Sequence, residues 1–153
     1  VNRFLVIGAT DDAALNRKIG DDAGQKNILC NIADMPEACS FILPAVIRRG
    51  DLTLAVSTSG KSPAFAKHLR KSLEKEFGDE YREFLELMGA IREKLLAREH
   101  APEAHKPLFE QLIQSGLLDM IRQRRTEAVD SLLKEVLGDG FDYHSLTQSR
   151  MDA

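Results

Sequence analysis

The sequence has no tryptophan, only two cysteines and no long run of apolar residues. Cys30 and Cys39 form neither a CxxC motif nor a disulfide framework, which is typical of proteins in a reducing compartment. No apolar run approaches the roughly 18 residues that a membrane-spanning helix needs, and the opening residues are too few for a secretory signal. We therefore expect a cytoplasmic protein with no membrane partner.

An excess of positive charge is also lacking, since 21 Lys and Arg residues stand against 24 Asp and Glu residues. The formal net charge of -3 and the absence of a basic stripe argue against nucleic acid as the main partner. A hydrophobic fraction of 43% is ample for a core. The 153 residues suit one domain, or one modest domain with a helical extension. Because the chain begins with Val1 rather than Met, we expect a fragment of a longer protein.

The first part of the chain predicts a small α/β structure. Phe4–Ala9 is a short, continuous apolar run, which is typical of a strand buried on both faces of a parallel sheet. A weakly amphipathic helix follows, and Ile28–Ile32 reads as a second strand, so a right-handed βαβ crossover is expected. Phe41–Ile47 and Leu52–Ser57 flank a glycine-containing turn and predict a hairpin.

The rest of the chain predicts helices almost throughout. Ser62-Pro63 is a helix start, because serine caps the first turn and proline fits the first helical position. Apolar residues then recur at helical spacing up to Gly138, which should end the last helix. Pro102 and Pro107 are expected to bracket a loop. An aromatic content of 6% suits a helical bundle better than a β-sandwich.

Two polar segments follow the predicted parallel strands. The first is Ala9-Thr10-Asp11-Asp12, and the second contains Asn31 and Asp34. Ligands on open parallel sheets lie outside the carboxyl ends of the strands, so both segments are candidate cofactor or catalytic contacts. The alternatives are a plain helix cap for the first segment and an Asx turn before proline for the second.

A third candidate is the loop Ser57–Ser62, which contains hydroxyl side chains, Gly60 and Lys61. Backbone N–H groups at a helix start, together with the lysine, can form a small anion site. The spacing of a Walker loop is absent. A solvated turn with a serine cap is the alternative interpretation.

The histidines do not predict a metal site. His100 and His105 have prolines close by and should not share a helix face, while His68 and His144 lack nearby partners. The basic run at 122–125 is interpreted as a solvated face or a helix-end charge. Cys30 is expected to be a core residue of its strand.

Taken together, these segments resemble one family. ATDD after a strand, followed by CNIADMPEACSFILPAVIRRGDLTLAVSTSGKSPAFAKHLRKSLE, is similar to the precorrin-2 dehydrogenase/sirohydrochlorin ferrochelatase family, the dehydrogenase module of siroheme synthase. The resemblance is strong over residues 4–77 and is limited to the helical layout beyond them. The order of the motifs is more specific than any one of them.

The resemblance implies NAD-dependent oxidation of precorrin-2 to sirohydrochlorin, with Fe²⁺ as a further substrate where the family also makes siroheme. It implies a homodimer and three parts: the C-terminal part of a Rossmann-like NAD-binding domain at 1–38, a hairpin dimerisation region at 39–78 and a helical domain at 79–153. Asp34 matches the family's essential aspartate. The implied cofactor contacts are Ala9, Thr10, Asp11 and Asn31. The implied substrate contacts are Thr58, Ser59, Gly60, Lys61 and Arg48.

The chain departs from the family at two points. The glycine-rich GxGxxG turn that approaches the NAD pyrophosphate is absent from the sequence. We therefore expect that the isolated chain binds NAD poorly and is inactive. Thr58 stands at the position that matches a phosphorylated serine in some members, with Ser59 beside it, so a regulatory phosphorylation is not expected.

Two other functions remain open from the sequence. The hydroxyl-rich loop Ser57–Ser62 also resembles that of sugar-isomerase-type phosphosugar-binding domains, although such domains need more parallel strands than the sequence predicts. Alternatively, the chain is a non-catalytic dimerisation scaffold, which the missing glycine-rich turn favours.

Overall fold

The computed structural model describes residues 3–98 and 102–148. Two β-strands and a helix open the chain, two further strands form a hairpin, and the remaining elements are helices. The bounds in chain order are β1 Leu5–Gly8, α1 Ala13–Gln25, β2 Leu29–Ile32, a 3-10 turn Pro36–Ala38, β3 Ala45–Arg49, β4 Leu52–Val56, α2 Pro63–Glu76, α3 Glu80–Arg98, α4 Pro102–Gln114, α5 Leu117–Arg122, α6 Thr126–Leu137 and α7 Tyr143–Gln148.

These elements form two compact units. The first comprises the residues through Ile47 together with Leu54–Leu73, and the second comprises Arg48–Thr53 together with the chain from Glu74 onward. The predicted succession of a parallel α/β part, a hairpin and a helical part is confirmed. No helix within the described ranges combines the length and the apolar character required to cross a bilayer.

The first unit contains a two-stranded parallel sheet covered on one face by α1. β1 pairs with β2 in the register Leu5 with Leu29 through Gly8 with Ile32. Cys30 and Ile32 are buried against Ala23 of α1, so the prediction that Cys30 is a core residue is confirmed.

The prediction that β1 is buried on both faces is wrong. Side chains alternate between the faces of a strand, and Leu5 and Ile7 of β1, with Leu29 of β2, are 42%, 53% and 38% exposed. Their face lies opposite α1, and no element of the described chain in this unit covers it.

The edge of β2 away from β1 is protected by the chain that follows it. Ser40 donates from its backbone N–H to the carbonyl of Cys30 at 2.8 Å, and its hydroxyl accepts from the N–H of Cys30 at 2.7 Å. The sulfur of Cys39 accepts from the N–H of Ile32 at 3.1 Å. Side chains thus satisfy backbone groups that an open edge would leave to solvent or to a partner strand.

The hairpin turns through Gly50 and Asp51. Gly50 has φ +57°, and a Cβ added there would lie 2.6 Å from Cγ of Arg82. Glycine therefore meets both a conformational and a steric requirement. The first hairpin strand begins at Ala45 rather than at Phe41 as the sequence predicted, because Pro44 immediately before it has no N–H to donate to a ladder.

The second unit is built around α3. Its core contains residues from every helix of α3–α7, and the largest fully buried side chains are Leu87, Ile91, Leu112, Leu117, Leu133 and Val129. The predicted loop between Pro102 and Pro107 is wrong, since both prolines belong to α4. Pro107 removes only one hydrogen bond near the start of the helix, and the apolar face behind it still packs into the core.

The last helix, α7, was not predicted. Asp142 begins it by accepting hydrogen bonds from the backbone N–H of Ser145 at 2.8 Å and from its hydroxyl at 2.7 Å. These bonds lower the pKa of the Asp142 carboxyl. Gly138 ends α6 as predicted.

Candidate functional site

The carboxyl end of the parallel sheet brings two predicted segments to one edge. Gly8 and Ile32 are the last paired residues of the two strands, and the N–H of Ala33 still donates to the carbonyl of Gly8 at 2.8 Å. Thr10 and Asp34 each follow their strand's last paired residue by two positions. The segment that contains Thr10 and the carboxylate of Asp34 therefore emerge from the same edge of the sheet.

The Thr10 segment is held by a side chain that sequence reasoning missed. Asn16 of α1 is 5% exposed, and its amide oxygen accepts from the Thr10 hydroxyl at 2.8 Å and from the Thr10 N–H at 3.3 Å. Its amide nitrogen donates to the Thr10 carbonyl at 2.9 Å. One side chain thus fixes the backbone and the hydroxyl of Thr10. No sequence signal could have pointed to Asn16, because its burial is visible only in the structure.

Asp12 begins α1 as its N-cap. The Asp12 carboxylate accepts from the N–H groups of Ala14 and Leu15 at 2.8 and 3.0 Å. This is the helix-cap role that the sequence left open for the segment. The neighbouring Ala9 and Asp11 are exposed at the sheet edge, which leaves them accessible to a ligand.

Asp34 lies in a tight turn with a backbone conformation that few residues adopt. Its φ is +59°, and the N–H of Met35 donates to the carbonyl of Ile32 at 3.3 Å, which closes the turn. Asp and Asn tolerate the left-handed region better than other residues with a side chain. The Asp34 side chain is exposed and has no hydrogen bond to any residue in the described part of the chain. Asp34 therefore presents an exposed carboxylate on a turn whose backbone conformation is fixed by a hydrogen bond.

The sulfur of Cys39 lies behind this turn. Besides accepting from the N–H of Ile32, it lies 3.3 Å from the carbonyl oxygens of Ile32 and Met35, and its S–H can donate to one of them. Both cysteines are free thiols. Burial, and then the neighbouring Cys39, raise the pKa of the Cys30 thiol, so Cys30 remains protonated.

Asn31, a predicted cofactor contact, has a structural partner. Its amide nitrogen donates to the carbonyl of Phe41 at 2.9 Å. This bond ties β2 to the chain that leads into the hairpin. The same nitrogen also donates to the sulfur of Cys39 at 3.6 Å, so both of its N–H groups have partners and the amide oxygen is the atom available to a cofactor.

The serine-rich loop forms a turn of two left-handed residues. Ser59 and Gly60 have φ +52° and +76°, and the N–H of Lys61 donates to the carbonyl of Thr58 at 3.0 Å. Two consecutive positive φ angles are the pattern of a type I′ turn. The Thr58 hydroxyl accepts from the N–H of Ser62 at 3.1 Å, so one of its acceptor positions is used within the loop.

The end of this loop confirms the predicted start of α2. The Ser62 hydroxyl accepts from the N–H of Phe65 at 3.2 Å, and Pro63 is the first helical residue. Ser57, Ser59 and Lys61 are exposed on the loop. Because the Ser57 hydroxyl accepts from the N–H of Ser59 at 3.1 Å, Ser59 and Lys61 are the side chains most available to a ligand.

The two arginines of the hairpin differ in their contacts: Arg49 is hydrogen-bonded to the end of α2, whereas Arg48 is exposed. The guanidinium of Arg49 donates to the carbonyls of Glu74 and Phe77 at the end of α2, at 3.0 and 2.7 Å. It therefore stabilises that helix terminus, whose carbonyls have no partner within the helix. Arg48 is exposed and lies in the segment that belongs to the second unit.

Among the described residues no group of three His, Cys, Asp or Glu side chains is arranged to hold a metal ion. His68 stacks on the ring of Phe65 with centroids 6.5 Å apart, and His105 is buried in α4. His100 lies outside the described residues.

Comparison with known proteins connects these segments to siroheme biosynthesis. Residues 1–45 match a family model described as "Putative NAD(P)-binding", and residues 49–76 match a model described as "Sirohaem biosynthesis protein central". The chain is 34% identical to a siroheme synthase of Thioalkalivibrio sulfidiphilus over 140 residues, covering 92% of this chain and 29% of that protein. It is 33% identical to a siroheme synthase of Sodalis glossinidius over 137 residues, covering 90% and 29%.

A solved structure shares the fold. SirC, a precorrin-2 dehydrogenase, matches with a TM-score of 0.57 and 24% identity over 89% of this chain and 64% of that structure. The chain spans about three tenths of the length of the curated relatives it matches. The two consecutive family matches, the relatives and the shared fold agree with the resemblance seen in the motifs. The chain therefore belongs to the precorrin-2 dehydrogenase/sirohydrochlorin ferrochelatase family, the dehydrogenase module of siroheme synthase.

Proposed function

We propose that this chain carries part of the site at which precorrin-2 is oxidised to sirohydrochlorin, with Asp34 as the proton acceptor. The observation that carries the proposal is the exposed carboxylate of Asp34, held in a left-handed turn at the carboxyl end of a parallel sheet. Ligands of such sheets bind at this edge. A strained backbone at an exposed carboxylate is also characteristic of functional sites.

The chemistry requires a base at this edge. The oxidation removes a hydride and a proton from the macrocycle, and NAD, when bound, supplies the hydride acceptor. The carboxylate of Asp34 takes the proton, and because Asp34 is exposed it can pass that proton to water. A positioned general base contributes roughly 10²–10⁴-fold to such a step.

The residues after β1 fit one side of a dinucleotide site. Ala9 and Asp11 are exposed at the sheet edge, and Thr10 is fixed by Asn16, so the segment presents a preformed surface. The glycine-rich turn that would receive the pyrophosphate is absent from the 153 residues. We infer that the isolated chain binds NAD weakly and does not turn over.

The substrate has eight carboxylate arms, so its site needs cations and hydrogen-bond donors. Lys61 and Ser59 are exposed on the type I′ turn, and Arg48 is exposed on the hairpin. We assign Lys61 to a substrate carboxylate and Ser59 to a hydrogen bond, while the role of Arg48 stays a prediction of the resemblance. The hydroxyl of Thr58 accepts from the N–H of Ser62, which helps to orient the turn, and its O–H can still donate to the substrate.

Asp34 also suits metal insertion. When Fe²⁺ enters sirohydrochlorin as a substrate, two pyrrole N–H protons leave, and a carboxylate at the edge of the macrocycle can accept them. We propose this as a second activity of the same site, in which Asp34 acts as a base in both reactions.

We further propose that the chain forms a homodimer through the dimerisation region at 39–78, between the nucleotide-binding part at 1–38 and the helical domain at 79–153. Four apolar side chains of this region are 37–57% exposed: Ile42, Leu43, Val46 and Phe65. A cluster of exposed large apolar residues marks an interaction surface. Sedimentation of a Leu43→Asp variant should shift toward monomer, whereas Leu15→Asp, on a leucine of α1 that is also exposed, should not.

Substitution of Asp34 tests the catalytic proposal in the natural protein that carries this chain. Asp34→Asn keeps a residue that tolerates φ +59° but removes the base, so sirohydrochlorin formation, followed by absorbance with NAD present, should fall about 100-fold or more. Glu37→Gln removes a neighbouring exposed carboxylate and should leave the rate unchanged. Full turnover by Asp34→Asn would refute the role.

A second measurement separates this proposal from phosphosugar binding. Calorimetric titration of the chain with a sugar phosphate should give no heat of binding. A saturable heat that disappears in a Lys61→Gln variant would instead assign the serine-rich loop to a phosphosugar.

A further inference from the structure

A cavity of about 520 Å³ lies within the second unit, lined by α3, α4 and the hairpin turn. Its volume falls in the range of small-molecule sites, roughly 300–1,000 Å³. Leu85, Met88 and Leu96 recur at helical spacing and form one wall on α3, and Phe109 of α4 adds a ring. The cavity therefore suits a ligand with an apolar body.

One buried polar side chain opens on this cavity. His105 is only 7% exposed and makes no hydrogen bond with any described residue. No side-chain nitrogen or oxygen in the described ranges is both sealed from solvent and unpaired. His105 lines the cavity, and its unpaired ring nitrogens are not sealed from solvent. Most buried histidines that only support a core have a partner within the protein. His105 therefore has a donor available for a molecule bound in the cavity.

Charged side chains border the same cavity. Arg92 of α3 and Lys106 of α4 are exposed, line the cavity and have no ion pair with a described residue. Among the described residues of the lining, Asp51 of the hairpin turn carries the only carboxylate. Two cations and one carboxylate leave a single net positive charge. The site is thus matched to one anionic group rather than to several.

We propose that this cavity binds a small molecule that has one anionic group and an apolar body, such as a medium-chain carboxylic acid. The anion lies between Arg92 and Lys106 and accepts a hydrogen bond from His105, and the apolar body lies against Met88 and Phe109. A tetrapyrrole with eight carboxylates does not match this balance of one net charge and an apolar wall. The described lining of the cavity shares no residue with the site proposed around Asp34, so we treat it as a second site.

Decanoate is a suitable probe, because it has one carboxylate and a ten-carbon chain. Calorimetry of the 153-residue chain should show one saturable site for decanoate and clearly weaker binding of 1-decanol. The double variant Arg92→Gln/Lys106→Gln should bind decanoate roughly tenfold more weakly, as expected when a charge-assisted hydrogen bond is lost. Arg125→Gln, an exposed cation at the start of α6, is the matched control and should bind as the wild type does.

Nuclear magnetic resonance of the wild-type chain locates the probe independently of any variant. The backbone amide of Gly89, which lines the cavity on α3, should shift on addition of decanoate, while amides of β1 should not. No binding, equal binding of 1-decanol, unchanged affinity in a folded double variant, or shifts confined to β1 would each overturn the proposal.

Discussion

Replacement of Asn16 by alanine tests how the sheet edge is held in place. The change removes three hydrogen bonds to Thr10, at 2.8, 2.9 and 3.3 Å. A neutral hydrogen bond contributes a net of about 0.5–1.5 kcal/mol, and Thr10 is exposed enough to bond water instead, so we expect a loss of about 2 kcal/mol. Alanine is the better helix former by about 0.6 kcal/mol, which leaves a net loss of about 1–1.5 kcal/mol in the free energy of unfolding.

Urea unfolding measures the global loss, and amide hydrogen exchange at Thr10 measures the local one. The Thr10 N–H should exchange faster in Asn16→Ala, because its acceptor is gone. Lys18→Ala, exposed on the same helix, is the control and should change stability by less than about 0.5 kcal/mol. An Asn16→Ala chain with unchanged stability and unchanged Thr10 exchange would show that the segment is held by something else.

Three further predictions concern other elements. Gly50→Ala should lower the free energy of unfolding by about 1–3 kcal/mol in urea titration, because its φ is positive and the new Cβ would press on Arg82. Asp12→Ala should cost about 1 kcal/mol by the same measurement, since α1 loses its N-cap, whereas Asp12→Asn should retain most of it. Burial opposes the ionisation of Glu80, but backbone hydrogen bonds and Arg122 outweigh it and lower the pKa of the carboxyl. The stabilisation that ionised Glu80 gives should therefore be complete above about pH 4.3 and be lost as the pH falls through the lowered pKa. The difference in Tm between the wild type and Glu80→Gln, measured from pH 7 to pH 3, should shrink only at the acidic end.

The location of the candidate site could be predicted from the sequence because the signals are local. Short apolar runs end at Gly8 and Ile32, and polar residues follow each at once. The carboxyl ends of neighbouring parallel strands lie at the same edge of the sheet. The topology alone therefore predicts that Thr10 and Asp34 emerge from the same edge. Their roles in binding and catalysis remain proposals.

The residues that hold the site could not be predicted, since their function depends on tertiary contacts. Asn16 resembles any polar residue of an amphipathic helix until its burial is known. Cys39 stands nine positions after Cys30 and gives no sequence sign that its sulfur caps the edge of β2. In both cases the partners include backbone groups, which a side-chain pattern does not reveal.

Errors in the predicted elements have a similar origin. The sequence predicts a break at Pro107, but a helix can lose one hydrogen bond near its start when its apolar face is buried, as Leu108 and Leu112 show. The exposed face of β1 is the opposite case. A continuous apolar run is typical of a strand buried on both faces, but Leu5 and Ile7 are exposed within the described chain.

At the sheet edge, the side chain that we propose as the base is distinct from the groups that hold its turn. Asp34 is exposed with a free carboxylate, and the bonds that define its turn are made by the backbone and by the sulfur of Cys39. At the neighbouring strand, Asn16 fixes Thr10 from within the core while Asp11 stays exposed. Because the supporting bonds do not use the exposed side chains, a substitution of Asp34 that keeps the turn should remove chemistry without removing structure. The same reasoning predicts that substitutions of Asn16 or Cys39 alter binding geometry first, through the backbone they hold.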